Sequence, residues 1–153
     1  MTEASTEVFF YHLERHPLER VLPGLLERTL ERGWRAVVQA GTPERLAALD
    51  THLWTYRDDS FLPHGTAKDG PPALIPILLT TNEDNPSGAA IRFLVDGATM
   101  PGFAGYVRVV IIFDGADRYA VEAARSQWKT ARAEGCAVTY WQQTETGRWE
   151  KRA

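Results

Sequence analysis

The sequence predicts an α/β domain, a three-layer fold with a mostly parallel sheet and helices on both faces. Three observations carry this. Runs of β-prone apolar residues alternate with segments of helical periodicity. The strand-like runs are nearly continuous in apolar character, as expected of strands covered on both faces. Glycine or proline punctuates the helical segments where helices start or stop.

Val8-Phe9-Phe10-Tyr11-His12 is the first such run and is expected to be a strand buried on both faces. From Leu18 to Arg32, apolar residues at Leu18, Val21, Leu22, Leu25, Leu26 and Leu30 follow helical spacing, and Gly33 supplies the stop. Trp34 to Gln39 is the next strand. Thr42 and Pro43 then form an N-cap and first helical position, opening a helix that runs to about Trp54. Arg57 to Pro72 reads as irregular, and long connections of this kind are often functional. Leu74 to Leu79 is a strand in which Pro76 predicts an edge position or a late start. Asn82 to Ser87 is a turn. Ile91 to Val95 is a short strand, with an antiparallel course considered for it. Ala98 to Gly105 is a loop, and Val107 to Phe113 is the strongest strand of the chain. Asp117 to Glu134 is a helix stopped by Gly135, and Cys136 to Gln142 reads as the final strand. The whole of 1–153 is expected to be one domain, with 1–6 flexible and 144–153 a polar tail.

With 153 residues and 44% hydrophobic content, the chain can bury a real core. No stretch approaches the run of about 20 apolar residues that spans a bilayer. The polar, acidic start predicts no signal peptide, so a cytoplasmic protein is expected. The single Cys136 excludes an internal disulfide framework and a multi-cysteine zinc site. A net charge of −3 argues against a general nucleic-acid binder. From Gly115 onward, however, seven Lys/Arg face five Asp/Glu, whereas ten face fifteen before it. A local basic site on an acidic protein favours a small acidic partner over a long phosphate backbone.

Nucleotide binding is disfavoured. A Rossmann-like sheet would place its glycine fingerprint after the first strand, but His12-Leu13-Glu14-Arg15-His16-Pro17 holds no glycine, and no Walker motif occurs. The fold is thus Rossmann-like with no phosphate-binding loop. His12 and His16 read as a polar loop pair and His52 as a solvated helix residue. Cys136 reads as a small core residue, and Asp58-Asp59 as solvated turn residues. No catalytic residue, metal site or cofactor is assigned.

Two surfaces are candidates for interaction. On the Asp117–Glu134 helix, Arg118, Arg125, Lys129 and Arg132 fall within a stripe roughly 60° wide at 100° per residue. Trp128 and Val121 flank it, and Ala120, Ala124 and Ala131 are expected to face the sheet. Cations beside an aromatic edge suit an acidic peptide with an apolar anchor. The plain alternative is a solvated basic face with Trp128 in the core. The second surface is Trp54 with Phe61, Leu62, Pro63 and His64. These residues form either an exposed apolar patch or an anchor folded inward.

Several features in order carry a family resemblance over nearly the whole chain. They are Phe9-Phe10-Tyr11, then Leu49-Asp50 through Leu53-Trp54, then Ser60-Phe61-Leu62-Pro63-His64-Gly65. Ala124-Arg125 and Trp128-Lys129 follow, ahead of Gly135. This order resembles the chi subunit of the bacterial DNA polymerase III holoenzyme, and the Trp54 to His64 block is its most specific part. The resemblance implies a non-catalytic adaptor joining the clamp-loader complex to single-stranded-DNA-binding protein, whose acidic C-terminal tail ends in a Phe carboxylate. The family's tail-binding Arg and aromatic-Lys pair correspond to Arg125, Trp128 and Lys129. Trp128 stands where a Tyr is familiar, and Arg132 extends the stripe. The psi subunit or a helicase-like partner is implied at Trp54, Phe61 and Pro63, together with Leu62 and His64. DNA is then met only indirectly, and no membrane is involved. The segments Gly65–Pro72 and Asn82–Gly105, and the tail after Gln142, depart from the family pattern. The alternative is an α/β nucleotide-binding domain or a small enzyme of unknown substrate, motivated by the strand-helix alternation.

Overall fold

The computed structural model describes residues 6–56 and 62–153. In chain order the elements are β1 (Glu7–Leu13), α1 (Leu18–Glu31), β2 (Ala36–Gln39), α2 (Pro43–Thr55), β3 (His64–Thr66) and β4 (Ile77–Thr80). They continue with β5 (Ile91–Leu94), β6 (Arg108–Asp114), α3 (Arg118–Ala133), β7 (Ala137–Gln143) and β8 (Trp149–Lys151). The strands form one sheet in the order β3-β4-β2-β5-β6-β1-β7-β8. All neighbours are parallel except β7 and β8. This is the three-layer α/β fold that the sequence predicts.

The helices end as their residues dictate. Thr42 caps α2 by accepting from the Arg45 amide at 3.2 Å, and Asp117 caps α3 by accepting from Tyr119 and Ala120. Gly33 and Gly135 take φ of +78° and +74°, and each closes a Schellman turn. Trp34 N–H reaches Thr29 O after α1, and Cys136 N–H reaches Ala131 O after α3.

β1 lies between β6 and β7, so both of its edges are paired, and its alternate residues serve the clusters on the two faces of the sheet. Leu13, with Phe9 and Tyr11, packs with Leu18, Leu22 and Leu26 of α1 and Leu49 and Leu53 of α2. Val8 and Phe10 pack on the other face with Ala124 and Ala131 of α3.

Three expectations are corrected, and one alternative is decided. β5 runs parallel to both β2 and β6, not antiparallel. The turn-rich segment 81–90 returns over the face of the sheet, and that return places β5 parallel on the far side of β2. A crossover needs about ten residues, and this one has no helix. The stretch expected to be irregular, Arg57–Pro72, contains β3, which adds the edge strand beside β4. Of the two readings of Pro76, the late start holds: Pro72–Leu74 forms a 3₁₀ turn and β4 begins at Ile77, inside the edge strand β3. Cys136–Gln142 is not the last strand, because the chain turns back and β8 pairs antiparallel with β7.

Two crossovers on the α3 face, 81–90 and 95–107, carry no helix. They are fastened by Arg92, whose side chain is fully buried. It donates to Gln39 Oε1 at 3.0 and 2.6 Å, to Asp84 O at 2.8 Å, to the Tyr106 hydroxyl at 3.0 Å and to Asn82 O. Gln39 in turn donates to Thr99 O at 3.3 Å. A buried cation is tolerated only when its donors are satisfied, and here carbonyls and neutral side chains satisfy them. Replacing Arg92 with Ala strands these acceptors. The variant is expected to lose about 3 kcal/mol or more of stability in urea unfolding. A loss below about 1 kcal/mol would show that the crossovers are held by other contacts.

Candidate functional site

The basic stripe predicted for α3 borders an apolar cleft between that helix and the sheet. The cleft has a volume of about 330 Å³. Phe10, His12, Phe113 and Tyr140 line it from the strands, Val121, Ala124, Arg125 and Trp128 line it from α3, and Arg152 and Ala153 close one side.

Parallel pairing assembles its aromatic wall. The register sets Phe10 beside Tyr140 and His12 beside Phe113. The Phe10 and Tyr140 rings are stacked with centroids 6.2 Å apart. Trp128 descends from α3 to within 5.3 Å of the Phe10 centroid and 5.9 Å of the Tyr140 centroid. Such tilted and edge contacts suit ring quadrupoles. Trp128 is half-buried, with Arg125, Lys129 and Arg132 exposed beside it. Of the four predicted residues, Arg125 and Trp128 line the cleft directly, while Lys129 and Arg132 lie on the adjoining helix surface.

The floor carries polar groups that the sequence reading did not bring there. His12, expected in a loop pair with His16, is a β1 residue. Its Nδ1 is 2.6 Å from the Tyr140 hydroxyl, and its Nε2 is 2.8 Å from Glu14 Oε1, an ion pair when the ring is protonated. Burial first, and then the charge of Glu14, raises the Tyr140 hydroxyl above its ordinary pKa, with Arg125 acting in the opposite sense. His16 is held apart, its Nδ1 3.0 Å from Gln143 Nε2. The alternation of β1 was the available signal, since it places Phe10 and His12 on one face.

α3 is set over the cleft by two polar contacts that its helical periodicity did not announce. Buried Gln127 accepts from Met100 N–H at 2.9 Å and donates to Met100 O at 3.0 Å. Glu134 accepts from Phe103 N–H at 3.0 Å. Both contacts tie the helix to the second helix-less crossover.

The second surface lies on the opposite face, by the β3 edge. Trp54 is 53% exposed, so its ring is a solvent-facing feature at the end of α2. It rests on the His64 ring, with centroids 4.4 Å apart. His64 and Leu62 are buried, and Pro63 is half-buried. His64 Nδ1 is 2.6 Å from Leu62 O, and Nε2 is 3.2 Å from Asp50 O, so this histidine anchors the segment to α2. Phe61 and Asp58-Asp59 lie outside the described residues.

Two further residues differ from expectation or refine it. His52 is not merely solvated, since its Nε2 is 2.6 Å from Glu19 O and links α2 to α1. Cys136 is half-buried, and burial followed by the nearby Glu134 charge raises its thiol pKa, the opposite of an activated cysteine. Among the described residues no group of His, Cys, Asp and Glu is placed to hold a metal ion. Among them, too, no helix is long and apolar enough to cross a membrane.

The fold and cleft define a three-layer α/β protein whose last helix presents a basic-rimmed apolar groove. The chain belongs to the DNA polymerase III chi subunit family: the model of the family described as "DNA polymerase III chi subunit, HolC" matches residues 5–139. It is also similar to the "Probable DNA polymerase III subunit chi" of Rickettsia prowazekii (strain Madrid E). The two are 27% identical over 111 residues, which cover 68% of this chain and 67% of that protein. The family is a polymerase accessory subunit, which places the chain in DNA replication.

Gly115 tests the floor of the cleft. A Cβ there would sit 1.9 Å from His12 Nε2 and 2.4 Å from its Cδ2. His12 is wedged between Phe113, with centroids 4.9 Å apart, and Tyr140. Gly115→Ala is therefore expected to displace the imidazole and cost about 1–3 kcal/mol. The near-UV circular dichroism of the aromatic cluster should change with it. An unchanged spectrum and melting temperature would mean that the ring moves freely.

Proposed function

We propose that this chain is a non-catalytic adaptor of the replicative polymerase. In this reading it joins the clamp-loader complex to single-stranded-DNA-binding protein by holding that protein's acidic C-terminal tail in the α3 cleft. The observation that carries the proposal is the union of an aromatic-lined groove with exposed cations along one rim. Trp128 and Tyr140, backed by the buried Phe10 and Phe113, offer apolar surface for a terminal aromatic side chain. Arg125 and Lys129 offer charge-assisted hydrogen bonds to carboxylates. Membership in the chi family supports the same assignment.

The exposed Trp54 on the opposite face is suited to a separate partner, the psi subunit or a helicase-like protein. Two surfaces on opposite faces of a rigid sheet let one domain hold two partners without competition. An adaptor of this kind works in the cytoplasm and meets DNA only through its partners.

The test is titration of a labelled acidic peptide ending in Ile-Pro-Phe, with a copy lacking the Phe as control. Binding that requires the Phe is expected, and it should weaken with added salt because the cations are exposed. Arg125→Ala and Lys129→Ala should each cost about 1–3 kcal/mol of affinity. Absence of binding at low salt would sink the adaptor reading. Trp54→Ala should leave peptide affinity unchanged, and a loss there would place the tail on the wrong face.

A further inference from the structure

Three residues that line the cleft, Tyr140, Arg152 and Ala153, lie beyond the stretch matched by the family. The pairing that begins with β8 continues past Lys151. Arg152 N–H donates to Tyr140 O at 2.8 Å, and Tyr140 N–H donates to Ala153 O at 3.2 Å. The hairpin splits its side chains between the layers. Trp149 lies against Tyr11 on the α1 side, with centroids 5.0 Å apart, whereas Arg152 lines the α3 cleft. Arg125 and Arg152 thus line the groove from two different elements, a helix and a hairpin, together with the Phe10, Trp128 and Tyr140 rings.

We propose that Arg152 is a second carboxylate-binding residue of this cleft, engaging the terminal carboxylate of the bound peptide across from Arg125. The inference rests on the adaptor reading and adds a residue to it. A cavity of about 330 Å³ seats a large apolar side chain with little adjoining backbone, so a chain end fits it better than a continuous strand. Once the terminal ring is seated, its carboxylate falls at the rim, where the guanidinium groups stand. A guanidinium offers a planar fork of donors matched to a carboxylate.

Arg152 already has a carboxylate partner that a ligand can replace. Its Nη2 is 3.0 Å from Glu150 Oε2, and the two side chains are 55% and 51% exposed. An ion pair so exposed contributes little. Glu150 therefore acts as a stand-in that occupies the guanidinium until the peptide carboxylate displaces it.

The experiment uses the full chain and two forms of the Ile-Pro-Phe peptide, one with a free C-terminal carboxylate and one with a C-terminal amide. Arg152→Ala is expected to weaken the free-acid peptide about tenfold and the amide far less, as befits loss of one charge-assisted contact. Glu150→Gln should tighten the free-acid peptide, and that gain should vanish in the Arg152→Ala/Glu150→Gln double variant. A structural role for Arg152 would not produce this pattern. Wild-type binding with equal losses on both peptides, or with no loss at all, overturns the role of Arg152 while leaving the adaptor reading intact. No wild-type binding overturns both.

Discussion

The buried guanidinium of Arg92 is the constraint from which the α3 side of this protein follows. A parallel sheet normally covers both faces with crossover helices. Here α1 and α2 cover one face, but on the other face 81–90 and 95–107 cross without any helix. Their backbone groups need partners, and Arg92 meets Asn82 and Asp84 carbonyls in the first crossover and the Tyr106 hydroxyl at the end of the second. Gln39 accepts from Arg92 and passes the linkage on to Thr99. One cation thus does the work of a helix layer by satisfying polar loops against the sheet.

The position of α3 depends on those loops. Gln127 reads both backbone groups of Met100, and Glu134 holds Phe103, whose ring is fully buried. A helix fastened at two points along the second crossover has little freedom to shift over the sheet. Trp128 can then meet Phe10 and Tyr140 at defined distances and leave a groove instead of collapsing onto the strands. The groove is preorganised, which lowers the ordering cost of filling it.

The two candidate surfaces owe their separation to the sheet. Alternation along β1 gives Phe10 and His12 to one layer and Phe9, Tyr11 and Leu13 to the other. Strand order places α2 with Trp54 beside the β3 and β4 end, and α3 beside β6, β1 and β7. The His64 ring beneath Trp54 shows how a residue within the most family-specific block can serve as a prop. It is buried, its ring nitrogens lie 2.6 Å from Leu62 O and 3.2 Å from Asp50 O, and its ring packs beneath the exposed indole.

The sequence by itself determined the alternation of elements, their caps and stops, and the grouping of Arg125, Trp128, Lys129 and Arg132 on one side of the last helix. These are short-range properties, set by turn chemistry and by a 3.6-residue period. It did not reveal the direction of β5, the strand at His64, the closing hairpin or the groove. Each of these depends on which residues meet across long separations in the chain. Arg92 is one charged residue within a short strand, and its partners lie in two loops that only the fold brings over it. Arg152 looked like part of a polar tail until β8 turned back along β7. Only tertiary structure could bring Phe10, Phe113, Trp128, Tyr140 and Arg152 around one space, because strand register and helix placement decide that meeting and local propensity does not.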